Sequence, residues 1–207
     1  MRVKGPCFST SAAGRLGQTL VFRRSPHGVI VELRKKQPDP RAVRQISQRA
    51  ALDLIARLWR HLPLPARLAW ASLVPREGAS PYHAFVRRNL QRWRGYLAPI
   101  RVPGEQPPAE NPSGGGLSLD VAANRVDGRV YVNNPADGIA IFFHRSKAEL
   151  FHCNQANLIH AIPLTVAAYY GFTDSQLAPG RYFYRHRYAN PDASWSVQGT
   201  ARAADVE

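Results

Sequence analysis

The sequence predicts an α+β chain of two domains: a β-hairpin followed by three helices, and then an all-β sandwich. The charge changes at mid-chain, because residues 1–103 carry 20 Lys and Arg against 4 Asp and Glu, while residues 104–207 carry 8 against 10. Residues 98–116 contain five prolines and end in three glycines, which is typical of a linker. Across this stretch the spacing of apolar residues changes from a helical period to strand alternation. We therefore expect domains at 1–97 and 117–207, joined by a linker at 98–116.

The hairpin is expected at residues 21–36, VFRRSPHGVIVELRKK. Two apolar runs flank a Ser-Pro-His-Gly turn, which is the pattern of two strands folded back on each other. Val21 and Phe22 are candidates for its core. Its basic residues are candidates for polyanion binding, although an ordinary hairpin with a positive solvent face would have the same pattern: Arg23, Arg24, Arg34, Lys35 and Lys36.

Three helices are expected to follow the hairpin. Residues 39–62 place apolar side chains four apart in two adjacent rows, which predicts one wide apolar stripe on a helix. Pro63 ends this helix, and Pro65 begins a short second one. Ser80 as N-cap and Pro81 at the first position predict a third helix over 80–97. The large side chains on the predicted core faces are Trp59, Trp70, Tyr82, Phe85 and Trp93.

The third helix has two contrasting faces. At about 100° per residue, one arc is apolar apart from Asn89, and the opposite arc is almost purely arginine. The candidates for polyanion binding on that arc are Arg87, Arg88, Arg92 and Arg94. A solvated surface is the alternative explanation of the arc. The net charge of +14 favours attraction to nucleic acid, anionic lipid or an acidic protein surface, with simple solubility as the alternative.

From Leu117 onward, about seven short runs separated by Gly, Pro, Asn and Asp predict a small β-sandwich. In the segment GRYFYRHRYAN, aromatic residues alternate with arginines, as in a strand with one buried face and one wet face. Tyr182 and Tyr184 are therefore the core candidates of this part.

The first domain resembles a group of small uncharacterised proteins of bacteria and their phages. The residues that carry the resemblance cover about 80 positions: Gly14, Gly17, Val21, Phe22, Gly28, Pro40, Arg41, Gln45, Arg49, Trp59, Leu62, Arg67, Trp70, Tyr82, Phe85 and Asn89. The group usually has Thr at the position of Ala42, so a helix N-cap is missing here, and Asp39 is a candidate to replace it. The resemblance implies this architecture and an association with phages, and no activity.

The second domain resembles fibronectin type III and immunoglobulin-like sandwich modules. The segment SQLAPGRYFYRHRYAN, residues 175–190, is similar to the leucine, proline, glycine and aromatic pattern before a late strand of those modules. The tyrosine usual in that pattern would fall on Phe183, one residue out of phase with Tyr182 and Tyr184, and a β-bulge would absorb the difference. Such modules imply adhesion, spacing or assembly rather than catalysis.

No constellation of catalytic residues is present in the pattern. His144, His152, Cys153 and His160 form the one cluster with metal-binding residue types, and their spacing matches no common zinc site. We therefore expect no enzyme activity, no metal and no cofactor. With only Cys7 and Cys153 we expect no disulfide framework. We also expect no secretory signal peptide and no membrane span, because no long apolar run is present.

These observations favour a structural or assembly protein, most simply a phage virion component such as a capsid-associated, decoration or tail protein. Its basic part would anchor to an acidic surface or to packaged nucleic acid, and its sandwich would contact protein partners or further copies of the chain. The alternative is an architectural DNA- or RNA-binding protein that uses the basic hairpin and helix. Either protein would be made in the cytoplasm, and the first would then enter a virion.

Overall fold

The computed structural model describes residues 42–74, 79–104, 112–135 and 139–207, together with four short strands nearer the start of the chain. It divides into two compact units, Met1–Pro40 and Arg41–Glu207, and each is described by itself. The predicted α+β class is confirmed, with three α-helices and three antiparallel sheets among the described residues.

The first unit contains a four-stranded sheet with the order β1-β4-β3-β2, and its strands are β1 (Arg2–Val3), β2 (Gly14–Leu16), β3 (Leu20–Ser25) and β4 (Gly28–Leu33). β3 and β4 form the predicted hairpin, in which Leu20 pairs with Leu33 and Ser25 with Gly28. Phe22 is buried and Val21 half-buried, in keeping with their prediction as core residues. The side chains of Arg23 and Arg24, and all of residues 34–36, lie outside the described part of the chain.

The helices of the second unit are α1 (Val43–His61), α2 (Leu64–Ala69) and α3 (Pro81–Arg94), with a 3₁₀ turn at Ala71–Leu73. α1 begins after Ala42, which makes no side-chain capping bond, and the proposed alternative cap, Asp39, lies outside the described residues. α1 ends at His61, two residues before Pro63, as predicted, and α2 begins at Leu64, one residue before the predicted Pro65. At α3 the predicted cap is confirmed, because the Ser80 side chain accepts from the N3 backbone and the Ser80 amide donates 3.0 Å to Nδ1 of His83.

The strands of the second unit form two antiparallel sheets. One has the order β10-β7-β5 with β6 also on β7, and the other has the order β12-β11-β8-β9. The strands are β5 (Ser113–Gly114), β6 (Ser118–Ala122), β7 (Arg125–Asn134), β8 (Ala140–Ser146), β9 (Leu158–Pro163), β10 (Ala168–Ser175), β11 (Gly180–Ala189) and β12 (Arg202–Val206). Inward side chains from both sheets, including Val130, Phe172 and Tyr184, belong to one hydrophobic cluster.

The helices and the second sheet share another hydrophobic cluster. Leu54 and Leu58 of α1 belong to it together with Phe142 of β8, Leu158 of β9 and Ala189 of β11. One core therefore joins residues from both sides of the predicted linker, and the compact units divide at Pro40 instead. The predicted two-domain layout is not confirmed.

The core extends across the predicted boundary because the first residues of the predicted linker are buried. Ala98 and Ile100 are buried, with exposed fractions of 0% and 5%. The amide of Asn89, on α3, bonds the backbone of Ile100 in both directions. The prolines of this segment suggest that it is exposed. Asn89, eleven residues before Ile100 in sequence, holds the segment against α3 instead.

Candidate functional site

α3 has a buried face that packs in the core and a strongly basic face that is exposed. Phe85, Asn89 and Trp93 are buried in the core beneath the helix. Arg87, Arg88 and Arg94 are exposed on the other side, as the helical period predicts. The buried residues fix the position of the helix, so the three arginines project from a rigid element.

The fourth predicted arginine, Arg92, does not belong to the exposed face. Its Nε donates 2.7 Å to the carbonyl of Ala98, and its Nη2 donates 3.4 Å to the carbonyl of Ala193. Partial burial and the nearby charge of Arg88 lower the pKa of its guanidinium. Arg92 therefore holds the end of α3 to the following chain and to the loop after β11.

The charge of the described residues in the helical part is almost entirely positive. Residues 42–74 and 79–104 contain ten arginines and one carboxylate, Asp53. Asp53 bonds Arg57 at 2.8 Å, one helical turn away. Within the part of the chain that the structure describes, Arg87, Arg88 and Arg94 have no carboxylate partner. Their charge is available to an anion from outside.

Two clefts flank α3, one along each side. The 3₁₀ cleft, of about 390 Å³, is lined by Leu73, Arg87, Arg88, Gln91, Pro103 and Gly104. The α1 cleft, of about 370 Å³, is lined by Arg44, Ser47, Gln48, Arg94 and Gln155. Each cleft carries two guanidinium groups, together with one side-chain amide in the 3₁₀ cleft and two in the α1 cleft. α3 is therefore a basic ridge between two basic depressions.

The wall of the 3₁₀ cleft is fixed by two buried residues. Trp70 is fully buried, and its Nε1 donates 2.9 Å to the carbonyl of Arg101. The Trp70 ring also packs edge-on against Phe85, with centroids 5.3 Å apart. The Asn89 amide holds Ile100 at the same time. The chain leading to Pro103 and Gly104 is thereby tied to both α3 and the end of α2.

The α1 cleft is held by Gln155, in the turn before β9. Its Nε2 donates to the last carbonyls of α3, at 2.6 Å to Trp93 and also to Arg94. Ser47, on α1, donates its hydroxyl to the backbone carbonyl of Gln155. The side chain of Gln155 thus serves as a C-terminal cap for α3 and fastens it to the sheet and to α1.

Of the core residues predicted in the helices and in β11, five are buried and two are partly exposed. Trp70, Phe85, Trp93, Tyr182 and Tyr184 are buried. Trp59 is half-buried, and Tyr82, predicted as core, is 36% exposed. Tyr82 lies in the first turn of α3, where its ring contacts Trp59 at a centroid distance of 5.6 Å but is not covered from outside.

The histidine and cysteine cluster is spread over several environments. His144 is fully buried, its Nδ1 is 2.8 Å from Oδ1 of Asn157, and burial lowers its pKa to about 4. His152 is exposed. Burial raises the pKa of the Cys153 thiol to about 11, which disfavours the reactive thiolate. Among the described residues, no three His, Cys, Asp or Glu side chains are placed to share a metal ion.

Sequence reasoning missed a buried ionic network between the two sheets. Nη1 of Arg145 lies 2.8 and 2.7 Å from the two carboxylate oxygens of Asp174, and the Tyr184 hydroxyl donates 3.0 Å to the same carboxylate. Alternation along β10 was the available signal, because Tyr170, Phe172 and Asp174 share its inward face. The geometry marks this network as structural, since its groups bond one another inside the core.

Comparisons with known proteins add little to this description. No protein-family model matches the chain, and no curated protein matches it. Among solved structures, the chain is similar to a β-1,2-glucanase from Parabacteroides distasonis, with a TM-score of 0.39 and 11% identity. That match covers 51% of this chain and 14% of the glucanase chain, and a likeness this weak supports no conclusion about fold or activity. In the described part of the chain, no helix is both long and apolar enough to cross a membrane.

Proposed function

We propose that this chain is a non-enzymatic structural or assembly protein whose helical part anchors it to a polyanion, nucleic acid above all. The observation that carries the proposal is the exposed face of α3, where Arg87, Arg88 and Arg94 project without a carboxylate partner among the described residues. Unpaired like charges on one helix add nothing to the stability of the folded chain, whereas the phosphate groups of a bound nucleic acid would neutralise them.

The strands would supply contacts with protein partners or further copies of the chain. Tyr131 and Tyr169 are exposed on neighbouring strands, with ring centroids 4.9 Å apart, and such an aromatic pair suits a protein contact. The immunoglobulin-like character of the strands is part of the proposal. It is supported by Tyr182, whose hydroxyl donates 2.9 Å to the carbonyl of Ala178, as in the tyrosine corner of such modules.

The assembly that we propose is a phage virion, in which the protein would be capsid-associated, decorating or part of the tail. This step rests on the resemblance of the first part of the chain to phage and bacterial proteins. An architectural DNA- or RNA-binding protein is the second candidate, and it is favoured by the clefts on both sides of α3. The two functions share the same anchoring face.

The anchoring face can be tested by electrophoretic mobility shift and by binding titrations over a range of salt concentrations. The full-length protein should bind duplex DNA at about 50 mM salt and release it at roughly a few hundred millimolar. The variant Arg87→Gln/Arg88→Gln/Arg94→Gln should bind far more weakly, and the slope of log K against log salt should fall by roughly 1 for each of these arginines that contacts a phosphate.

The matched control removes the same charge from the strands. Arg129, Arg181 and Arg202 are exposed there, and replacing all three by Gln leaves α3 intact. This control should bind like the unaltered protein. Equal weakening by the two triple variants would show that net charge alone governs binding, and no binding by the unaltered protein at low salt would refute the anchoring function.

The assembly function has its own measurement. Native mass spectrometry and light scattering of the full chain, with and without DNA, should show a regular oligomer or an ordered complex. A protein that stays strictly monomeric under both conditions would contradict the assembly function, and DNA binding by that monomer would favour the architectural alternative.

A further inference from the structure

Three side chains form a single row along the exposed face of α3. Arg87, Gln91 and Arg94 stand four and three residues apart, which places them within a narrow arc of the helix. From the first to the last the helix rises about 10 Å, and stacked base pairs rise about 3.4 Å each. The row therefore has the length of about three base-pair steps.

The side chains of the row are of the types that bond base edges in the major groove. Arginine makes paired hydrogen bonds to O6 and N7 of guanine, and glutamine makes them to N6 and N7 of adenine. Glutamine can also contact phosphate, but here its amide lies between two arginines in one row, so the row offers one adenine-type bidentate group between two guanine-type groups. Because all three residues are on a helix anchored by Phe85 and Trp93, their spacing is fixed.

The clefts on the two sides of α3 suit the two edges of a DNA groove. An α-helix with its side chains is about 10–12 Å across, and the major groove of B-form DNA is about 12 Å wide. The row borders both clefts, since Arg87 and Gln91 line the 3₁₀ cleft and Arg94 lines the α1 cleft. Arg88 and Arg44 line the same two clefts, one on each side of the row. With the row against base edges, each cleft would face one phosphate backbone.

Other polyanions fit this arrangement less well. Proteins that bind single strands stack bases on exposed aromatic rings, but no aromatic ring belongs to the row of Arg87, Gln91 and Arg94. The exposed ring on α3, Tyr82, packs against Trp59 instead. The major groove of A-form RNA is too deep and narrow for side chains to read.

The geometry points to a base-reading function: α3 enters the major groove of duplex DNA, Arg87, Gln91 and Arg94 read base edges, and Arg88 and Arg44 contact the flanking phosphates. This inference rests on the proposed anchoring function and adds to it a specific ligand, a short duplex sequence that contains guanine and adenine. A bidentate contact of this kind discriminates between bases by about 5- to 150-fold.

The test is a selection of duplexes from a random library by the full-length protein, followed by titrations of the selected sequence. We expect enrichment of about three or four adjacent base pairs. Gln91→Ala should lower the preference at one position of the selected sequence while leaving the salt slope unchanged. Arg88→Gln should leave the preference unchanged and reduce the salt slope by about 1.

Two controls separate base reading from charge and from loss of fold. Arg60→Gln removes an exposed arginine that lines neither cleft, and it should change neither the preference nor the slope. Methylation of guanine N7 in the selected duplex, which blocks the major-groove edge, should weaken binding to the level of an unselected sequence. Circular dichroism of each variant confirms that the helices are intact.

The outcomes distinguish the inference from the proposed function. Selection without any enriched sequence, or equal affinity for the duplex in DNA and RNA form, would overturn base reading and leave the anchoring function standing. Tighter binding to single strands than to duplexes would also overturn it. Failure to bind any nucleic acid at low salt would refute the anchoring function itself.

Discussion

Replacing Asn89 should loosen the structure that positions the exposed arginines. The side chain is 1% exposed, on the buried face of α3. Its Oδ1 accepts from the amide of Ile100 at 2.8 Å, and its Nδ2 donates to the carbonyls of Ile100 and Phe85, each at 3.2 Å. One amide group thus satisfies both backbone polar groups of a residue that is itself buried.

The cost of Asn89→Leu follows from the groups left behind. Leucine has the branched skeleton of asparagine with two bulkier methyl groups in place of the amide oxygen and nitrogen, so the N–H and C=O of Ile100 lose their partners inside the protein. Each unsatisfied buried group costs about 1–3 kcal/mol, and the better helix propensity of leucine returns about 0.5 kcal/mol. We expect the free energy of unfolding to fall by about 3 kcal/mol, a large part of the stability of an ordinary domain.

The measurement is urea unfolding followed by circular dichroism, together with hydrogen exchange at Ile100. The Leu variant should show a lower midpoint, and the amide of Ile100 should lose protection. Gln91→Ala is the control on the same helix, because Gln91 is exposed and its replacement should change stability by less than about 0.5 kcal/mol. If Asn89→Leu unfolds at the same urea concentration as the unaltered protein, the reasoning about Ile100 is wrong.

Two further predictions concern the strands. Burial lowers the pKa of both His144 and His186 to about 4. Between pH 6.5 and 4 the folded state therefore binds fewer protons than the unfolded state. The free energy of unfolding should fall by up to about 3 kcal/mol per ring as the pH drops through this window. Urea unfolding at pH 7 and 4.5 measures this effect: His186→Gln should reduce the loss, His152→Gln should not, and a stability that is flat with pH would contradict it. Asp174→Asn breaks the buried pair with Arg145 and should cost about 3–5 kcal/mol in thermal unfolding, whereas Asp205→Asn in an exposed pair should cost less than about 1 kcal/mol. Equal effects of these last two changes would mean that the buried pair is not special.

The sequence could predict α3 because its signals are local. The Ser80 cap, Pro81 and the apolar period all act within a few residues, and each is confirmed. The predicted two-domain layout is not confirmed, for the opposite reason. Prolines and glycines indicate an irregular chain but not an exposed one, and what buries Ile100 is a side chain on a different element, Asn89.

The helical period of α3 also predicts that Arg92 lies beside the buried face. It stands seven residues after Phe85, so the helical period places the two within about 20° of each other around the axis. That is the edge of the buried arc rather than the centre of the exposed one, in agreement with its bonds to Ala98 and Ala193. The partners themselves, and the Arg145–Asp174 pair between two sheets, depend on tertiary contacts that no local pattern contains.

Stability and anchoring are separable on α3 because they depend on different rows of side chains. Phe85 and Asn89 hold the helix, Arg92 and Gln155 fasten its end to the strands, and these residues are buried or bonded within the protein. The exposed arginines lie close to one another with one sign of charge, so they repel each other and contribute nothing to the core. Removing them should relieve this repulsion, and the same substitution that weakens DNA binding should leave the fold as stable as before or slightly more stable. A helix whose exposed charges cost stability and bind phosphate is the arrangement expected where the ligand supplies the missing counter-charge.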